Sequence, residues 1–325
     1  MITTSAPGKL MLFGEHAVVY GRPCLVTAVG LRVYVTAGAG GTDISIRTSI
    51  DSEPYTLPVD DLLRAEEFPR SVAFVAALVK VFYEEFGLHS GLHLTTTGPE
   101  RSFGLGSSSA VTAAAAAALN ELFSLHLSQA ALAELSHRAV LDVQGVASGF
   151  DVMAAVYGGT LLFQPATRQV EPLSMTELPL VIGYSGSKVS TVSYVNEVAK
   201  LRGRHKRLID GMFDMMTDIT EQAKALMLAN EWPAMGELAN LSQGLLDGLG
   251  VNTLPLAKLI IAAREAGAYG AKLSGAGGGD CMFAVTSAET ADAVRAALVQ
   301  AGGEVVALPV GVEGVRVEPD GLPTR

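Results

Sequence analysis

Four stretches of this chain combine residue types that could do chemistry. "SAPGKLMLFGEHAVVYG" (Ser5–Gly21) sets Lys9, Glu15 and His16 into an otherwise apolar, glycine-punctuated segment. A lone lysine is usually solvated, and a lone histidine in an apolar run is usually a satisfied core residue. Three ionisable groups at the bends of a buried-looking strand are less easily dismissed. "FGLGSSSAVTAAAAAALNEL" (Phe103–Leu122) runs from two spaced glycines through three serines into six alanines. Alanine is the best helix former, so residues 113–118 are expected to be helical. Serine is a favoured N-cap, which places the helix start at Ser107, Ser108 and Ser109. Gly104 and Gly106, on either side of Leu105, let the backbone come close to a ligand, and the helix N-terminus offers amides and a positive dipole end to an anion. The bland alternative is a well-capped buried helix with a flexible lead-in.

"QGVASGFDVMAAVYGG" (Gln144–Gly159) puts Asp151 just before a short apolar run. Asp151 is either an N-cap or a carboxylate at the tip of a glycine turn, where a general base would be well placed. "AKLSGAGGGDCMFAV" (Ala271–Val285) has four glycines in the five residues 275–279, between two apparent strands. A hairpin needs one or two. Four suggest a backbone that lies against something or moves. No G-x-x-x-x-G-K-[ST] occurs, and "GAGGGD" breaks a G-x-G-x-x-G at Asp280.

These stretches need elements to hold them. The 325 residues are 49% hydrophobic and 17% charged, enough for two modest globular domains. Lys and Arg total 23 against 33 Asp and Glu, a net charge of −10 that argues against nucleic-acid or anionic-membrane partners. Cys24 and Cys281 are the only cysteines, which rules out a zinc spacing or disulfide framework and suits a reducing cytosol. No secretory leader or membrane span is legible, since the small-apolar run 110–119 is about half of the ~20 residues a bilayer needs. A soluble, cytoplasmic protein is expected. Alternation at Leu31, Val33 and Val35, a turn at 38–43 and a return at Ile44 and Ile46 predict a hairpin. Helices are predicted over 70–86, from the serines onward, over 128–143, and then over about 192–202, 208–229, 232–246, 255–266 and 288–300. Short strands are expected at 91–97, 158–163, 180–186, 271–273, 281–285, 304–308 and 315–317. Residues 164–179 carry three prolines and little periodicity, so a domain boundary is expected near Thr176. The tail from Glu318 is expected to fray.

The motifs together resemble those of the GHMP small-molecule kinases, and among them the mevalonate kinases of archaeal and bacterial type. "PGKLMLFGEHAVVYG", "GLGSSSAVTAA" and "KLSGAGGGDCMFAV" occur in that family's order, and Ser242–Gly279 is similar throughout. The resemblance implies an α+β fold of two domains. The first, residues 1–176, would be like domain 2 of ribosomal protein S5. The second, residues 177–325, would be ferredoxin-like with added helices. It implies ATP with its phosphates on Gly104, Leu105, Gly106, Ser107, Ser108 and Ser109, and Mg²⁺ on Ser108. By the same likeness Asp151 takes or orients the proton of an attacking hydroxyl and Lys9 stabilises charge beside it. Glu15, His16 and Thr191 match substrate-side positions, and Gly275, Ala276, Gly277 and Gly278 close near the phosphates.

The implied reaction is ATP-dependent phosphorylation of the C5 hydroxyl of mevalonate. The implied partners are mevalonate and ATP, and a homodimer is compatible with the family. Two departures matter. The family's second metal-binding glutamate, eleven residues before the catalytic aspartate, is here Val140, with Asp142, Glu134 or water as substitutes. Phe150 and Asp280 lean towards the phosphomevalonate kinases, for which Lys188 and "RGRHKR" (202–207) could supply extra cations, unless that basic run is only a solvated helix start. A non-catalytic metabolite-binding relative is a third reading.

Overall fold

The structure is a computed structural model describing residues 1–49, 51–99, 101, 103–175, 177–188 and 191–319. Strands β1 (Ile2–Phe13) and β2 (Cys24–Ala39) form a long antiparallel pair with irregularities between Pro7 and Gly8 and between Met11 and Phe13. A 3₁₀ turn at Ala17–Tyr20 lies between them. Next come β3 (Asp43–Arg47), β4 (Tyr55–Pro58), α1 (Val59–Arg64), α2 (Ala73–Phe86) and β5 (Leu92–Thr97). The hairpin predicted between β2 and β3 does not form. β5 lies between them, antiparallel to β2 and parallel to β3. Alternation locates strands but not their partners. The α1–α2 crossover supplies the length that a parallel β3–β5 pair requires.

Helices α3 (Ser107–Leu122), α4 (Gln129–Gln144) and α5 (Phe150–Tyr157) follow, then β6 (Thr160–Gln164) and β7 (Gln169–Leu173). The strand order is β12 (Arg316–Val317), β1, β2, β5, β3, β4, with β6 on β2 and β7 on β6. α3 runs against β1 and β2 and is flanked by α2, α4 and α5. Its Ala110, Ala113–Ala116 and Ala118 are fully buried. Only small side chains allow such close approach on every side, and a larger one here would cost roughly 1–3 kcal/mol.

The other half opens with β8 (Leu180–Tyr184), followed by α6 (Thr191–Arg204), α7 (Lys206–Leu228), α8 (Trp232–Gly248) and α9 (Leu254–Glu265). It continues with β9 (Gly270–Leu273), β10 (Cys281–Val285), α10 (Ala291–Gln300), β11 (Glu304–Val305) and β12 (Arg316–Val317). Its sheet has the order β11-β8-β10-β9, and every pairing is antiparallel. A shared core of Leu10, Leu12, Phe13 and Leu25 with Ile182, Phe283, Ala223 and Met235 joins the two sheets.

Two expectations concern linkers. The proline-bearing stretch 164–179 contains β7, which is ladder-bonded to β6, while Thr176 lies outside the described residues. The C-terminal segment returns to the first sheet, where β12 pairs β1 at Thr4–Val317 and Ser5–Arg316. Glu318 is not frayed: it takes hydrogen bonds from Ser5 and Arg316, and its amide donates to the Thr3 carbonyl. Residues 320–325 lie outside the described residues. Among the described residues no helix is long and apolar enough to cross a membrane.

Candidate active site

The first turn of α3 opens into a cavity of about 310 Å³. The N-cap of α3 is not a serine. Gly106, in the left-handed region (φ 82°), caps the helix without any side-chain hydrogen bond. Ser107, Ser108 and Ser109 are therefore the first helical residues, and among the described residues no side chain caps the first-turn amides. Gly106 is required sterically as well: a Cβ there would lie 2.9 Å from Cγ of Lys9, which crosses directly over it. Lys9 projects from β1, where its amide donates to the Leu105 carbonyl at 2.7 Å. Its Nζ donates to the Gly104 carbonyl at 3.3 Å and lies 5.6 Å from the centre of the Phe150 ring. The strand thus fixes both the phosphate-type loop and a cation above it.

Asp151 lines the same cavity from the first turn of α5. It is not the N-cap; Gly149 is. Its Oδ1 accepts the Val152 amide at 3.1 Å. Among the described residues no Lys9–Asp151 ion pair forms, because Lys9 is turned to the Gly104 carbonyl. Gly104, Ser107, Ser108, His16, Thr191, Gly275 and Ala276 share the cavity with these two residues. His16 is 4% exposed, has a positive φ (59°), and donates from Nε2 to the Ala276 carbonyl at 3.0 Å. Burial pulls its pKa down to about 4, the carbonyl opposing, so the imidazole is neutral near pH 7.

Other candidates are not brought to the cavity. Leu105 belongs to the shared core, and Ser109 is fully buried with an Oγ that finds no partner among the described residues. Gly277 and Gly278 pack on Val251, whose carbonyl takes the Gly278 amide at 2.7 Å, and Gly278 also meets the Tyr194 ring. Glu15 points away, into an ion pair with Lys272, where both side chains are buried. An isolated acid and an isolated lysine, each in an apolar segment, were the sequence's hint of that pair. "RGRHKR" also stays outside: Arg202 and Lys206 both pair with Asp210. Lys188, by contrast, lines the cavity, as do Gln144, Val146 and Ser148, which lie in the Gln144–Gly159 stretch but were not picked out within it.

Val140 is fully buried in the core, and neither Asp142 nor Glu134 lines the cavity. Glu134 is bonded to Arg168. Among the described residues no three His, Cys, Asp or Glu side chains cluster as a metal cage. The carboxylates at the cavity are Asp151 and Asp280. Asp280 lies against Gly104, so that a Cβ on that glycine would fall 2.2 Å from its Cγ. Its Oδ1 has no partner among the described residues; burial raises its pKa, while Lys9 and Lys188 oppose the rise.

A family model described as the GHMP kinases N terminal domain matches residues 73–159, and one described as GHMP kinases C terminal matches residues 223–304. The chain is 35% identical to the mevalonate kinase of Thermococcus sibiricus, over 98% of each chain. It is similar to the crystal structure of L. major mevalonate kinase in complex with R-mevalonate, at a TM-score of 0.73 and 25% identity, covering 91% of this chain and 90% of that one. Streptococcus pneumoniae phosphomevalonate kinase in complex with phosphomevalonate and AMPPNP shares the fold at a TM-score of 0.80 and 17% identity, covering 95% of this chain and 100% of that one. The uncapped α3 turn, the lysine above it and the facing aspartate thus occur in a chain that belongs to the GHMP kinases, among the mevalonate kinases.

Proposed function

We propose that this enzyme transfers the γ-phosphoryl group of ATP to the C5 hydroxyl of mevalonate. One observation carries the reading: Asp151 faces the same cavity as the amide-rich N-terminus of α3 and Lys9. Phosphoryl transfer needs positioning and charge neutralisation more than covalent help. The first-turn amides and the α3 dipole would hold the triphosphate. Lys9 would stabilise charge on the transferring group, and Asp151 would take the hydroxyl proton as the alcohol oxygen bonds to the γ-phosphorus and ADP leaves. His16 and Thr191 would bound the alcohol, and the Gly275–Ala276 backbone would close near the phosphates. In this reading residues 1–176 carry the nucleotide and residues 177–325 close the site over the alcohol. The setting would be the cytoplasm, and a homodimer is compatible with it.

The donor set suits a Mg²⁺ ion carried in on the nucleotide better than one held by a protein cage. Magnesium keeps several waters and needs only one or two carboxylates beside the phosphates. Ser108, Asp151 and Asp280 line the cavity and are the side chains that would hold it. When bound, it would neutralise phosphate charge.

Two lysines beside Asp280 favour a second reading, in which the alcohol already carries a phosphate. A coupled ADP-release assay with each alcohol separates them. Turnover with mevalonate is expected; turnover with 5-phosphomevalonate alone would reverse the assignment.

A further inference from the structure

We propose that His137 is a positioning residue that fixes the loop carrying Asp151, and that Arg168 locks its tautomer. The loop 145–149 joins α4 to α5, and its Val146, Ala147 and Ser148 line the cavity three to five residues before Asp151. His137 projects from α4 behind this loop, 5% exposed. Its Nε2 is 3.1 Å from the Ala147 carbonyl, and its Nδ1 is 2.8 Å from Nη2 of Arg168. A guanidinium can only donate, so Nδ1 is the acceptor, and the single imidazole proton sits on Nε2 and is given to Ala147. Arg168 is itself held by Glu134. The chain Glu134–Arg168–His137–Ala147 therefore ends on loop backbone.

The fit on the ring is close. Gly149, the N-cap of α5, has φ 90°, and a Cβ there would stand 3.0 Å from Cδ2 of His137. The imidazole thus contacts the loop at two points, one of them only two residues from Asp151. A general base displaced by about 1 Å can lose ~10²-fold in rate, so a ring holding this loop acts on turnover rather than on nucleotide binding.

The inference rests on the reading of Asp151 as the base, and the test separates the two. His137→Gln, Arg168→Met, their combination and Asp151→Asn are made in the full chain and compared for kcat and for the KM of ATP. A glutamine amide can still donate to Ala147 but has no Nδ1 for Arg168 to hold. Arg168 lies on an exposed hairpin turn, 43% accessible, so its replacement leaves the core intact. Arg168→Met is expected to lower kcat by ~3–10-fold when His137 is present. In the His137→Gln background it is expected to change kcat by less than ~1.5-fold, since residues in one network are non-additive. The KM of ATP is expected to stay within ~2-fold in the His137 and Arg168 variants. A loss of the same size in both backgrounds, or none when His137 is present, overturns the positioning role. If Asp151→Asn alone keeps full turnover, the reading of Asp151 falls instead.

Discussion

The carboxylate of Glu15 is ion-paired with the ammonium of Lys272, joining the turn after β1 to strand β9 across 257 positions, with 1% and 0% of the side chains exposed. The Gly275 amide also donates to Glu15, and Lys272 donates to the Leu273 carbonyl at 2.8 Å between the rings of Phe13 and Phe283. Burial pushes the Glu15 pKa up and the Lys272 pKa down, and the attraction between the two opposes both shifts. The residue expected to touch substrate instead ties the glycine-rich loop to β1. Lys272→Met strands a buried carboxylate and is expected to cost ~3–5 kcal/mol. The double change Glu15→Leu with Lys272→Met is expected to cost less than either single change. Urea unfolding of the three variants measures this, and additive losses would contradict it.

His16 makes stability depend on pH. Its folded pKa, about 4, lies below the ordinary 6.5, so between those values the unfolded chain binds the proton and the folded chain does not. Stability is therefore full above pH 6.5 and falls as the pH drops to about 4, by roughly 3 kcal/mol from this group. His16→Asn, which removes the titrating ring, should flatten that part of a stability-against-pH curve measured by urea unfolding.

Gly106→Ala combines a strained left-handed residue, costing ~1–3 kcal/mol, with a Cβ driven into the Lys9 side chain. Both kcat and the affinity for ATP are expected to fall. A variant with unchanged affinity, measured by calorimetry, would show that the Lys9–Gly106 contact does not shape the nucleotide site.

Asp151→Asn keeps the shape and the local bond to Val152 but removes the base. Turnover should fall by ~10²–10⁴-fold. Affinity for ATP measured without Mg²⁺ should hold, because Asp151 contributes no donor to the phosphates. Rate and nucleotide-binding measurements on the same preparation check both halves.

Arg32 clasps the returning C-terminal segment. Its guanidinium donates to the carbonyls of Ser5, Glu313 and Gly314 and to the Ser5 hydroxyl, at 2.7–2.9 Å. Arg32→Met leaves the part-buried acceptors on Ser5 and Gly314 without this donor and should cost ~1–3 kcal/mol. Faster proteolysis after residue 308 is the expected sign that β12 has been released from β1.

The local elements and the family were legible in the amino-acid order. The alanine run dictated α3, alternation and glycine punctuation marked β9 and β10, and three ordered motifs identified a GHMP kinase. Local composition encodes these because propensity and periodicity act within a few residues. Long-range partnerships emerged only once the chain was packed. β5 took the place beside β2 that the hairpin reading gave to β3, and β12 crossed back to β1. Lys272 claimed Glu15, and Lys9 set the cap at Gly106 rather than at a serine. Each of these outcomes depends on which surfaces bury one another and on whether a charge taken from water finds its partner, and neither is written in the neighbouring residues.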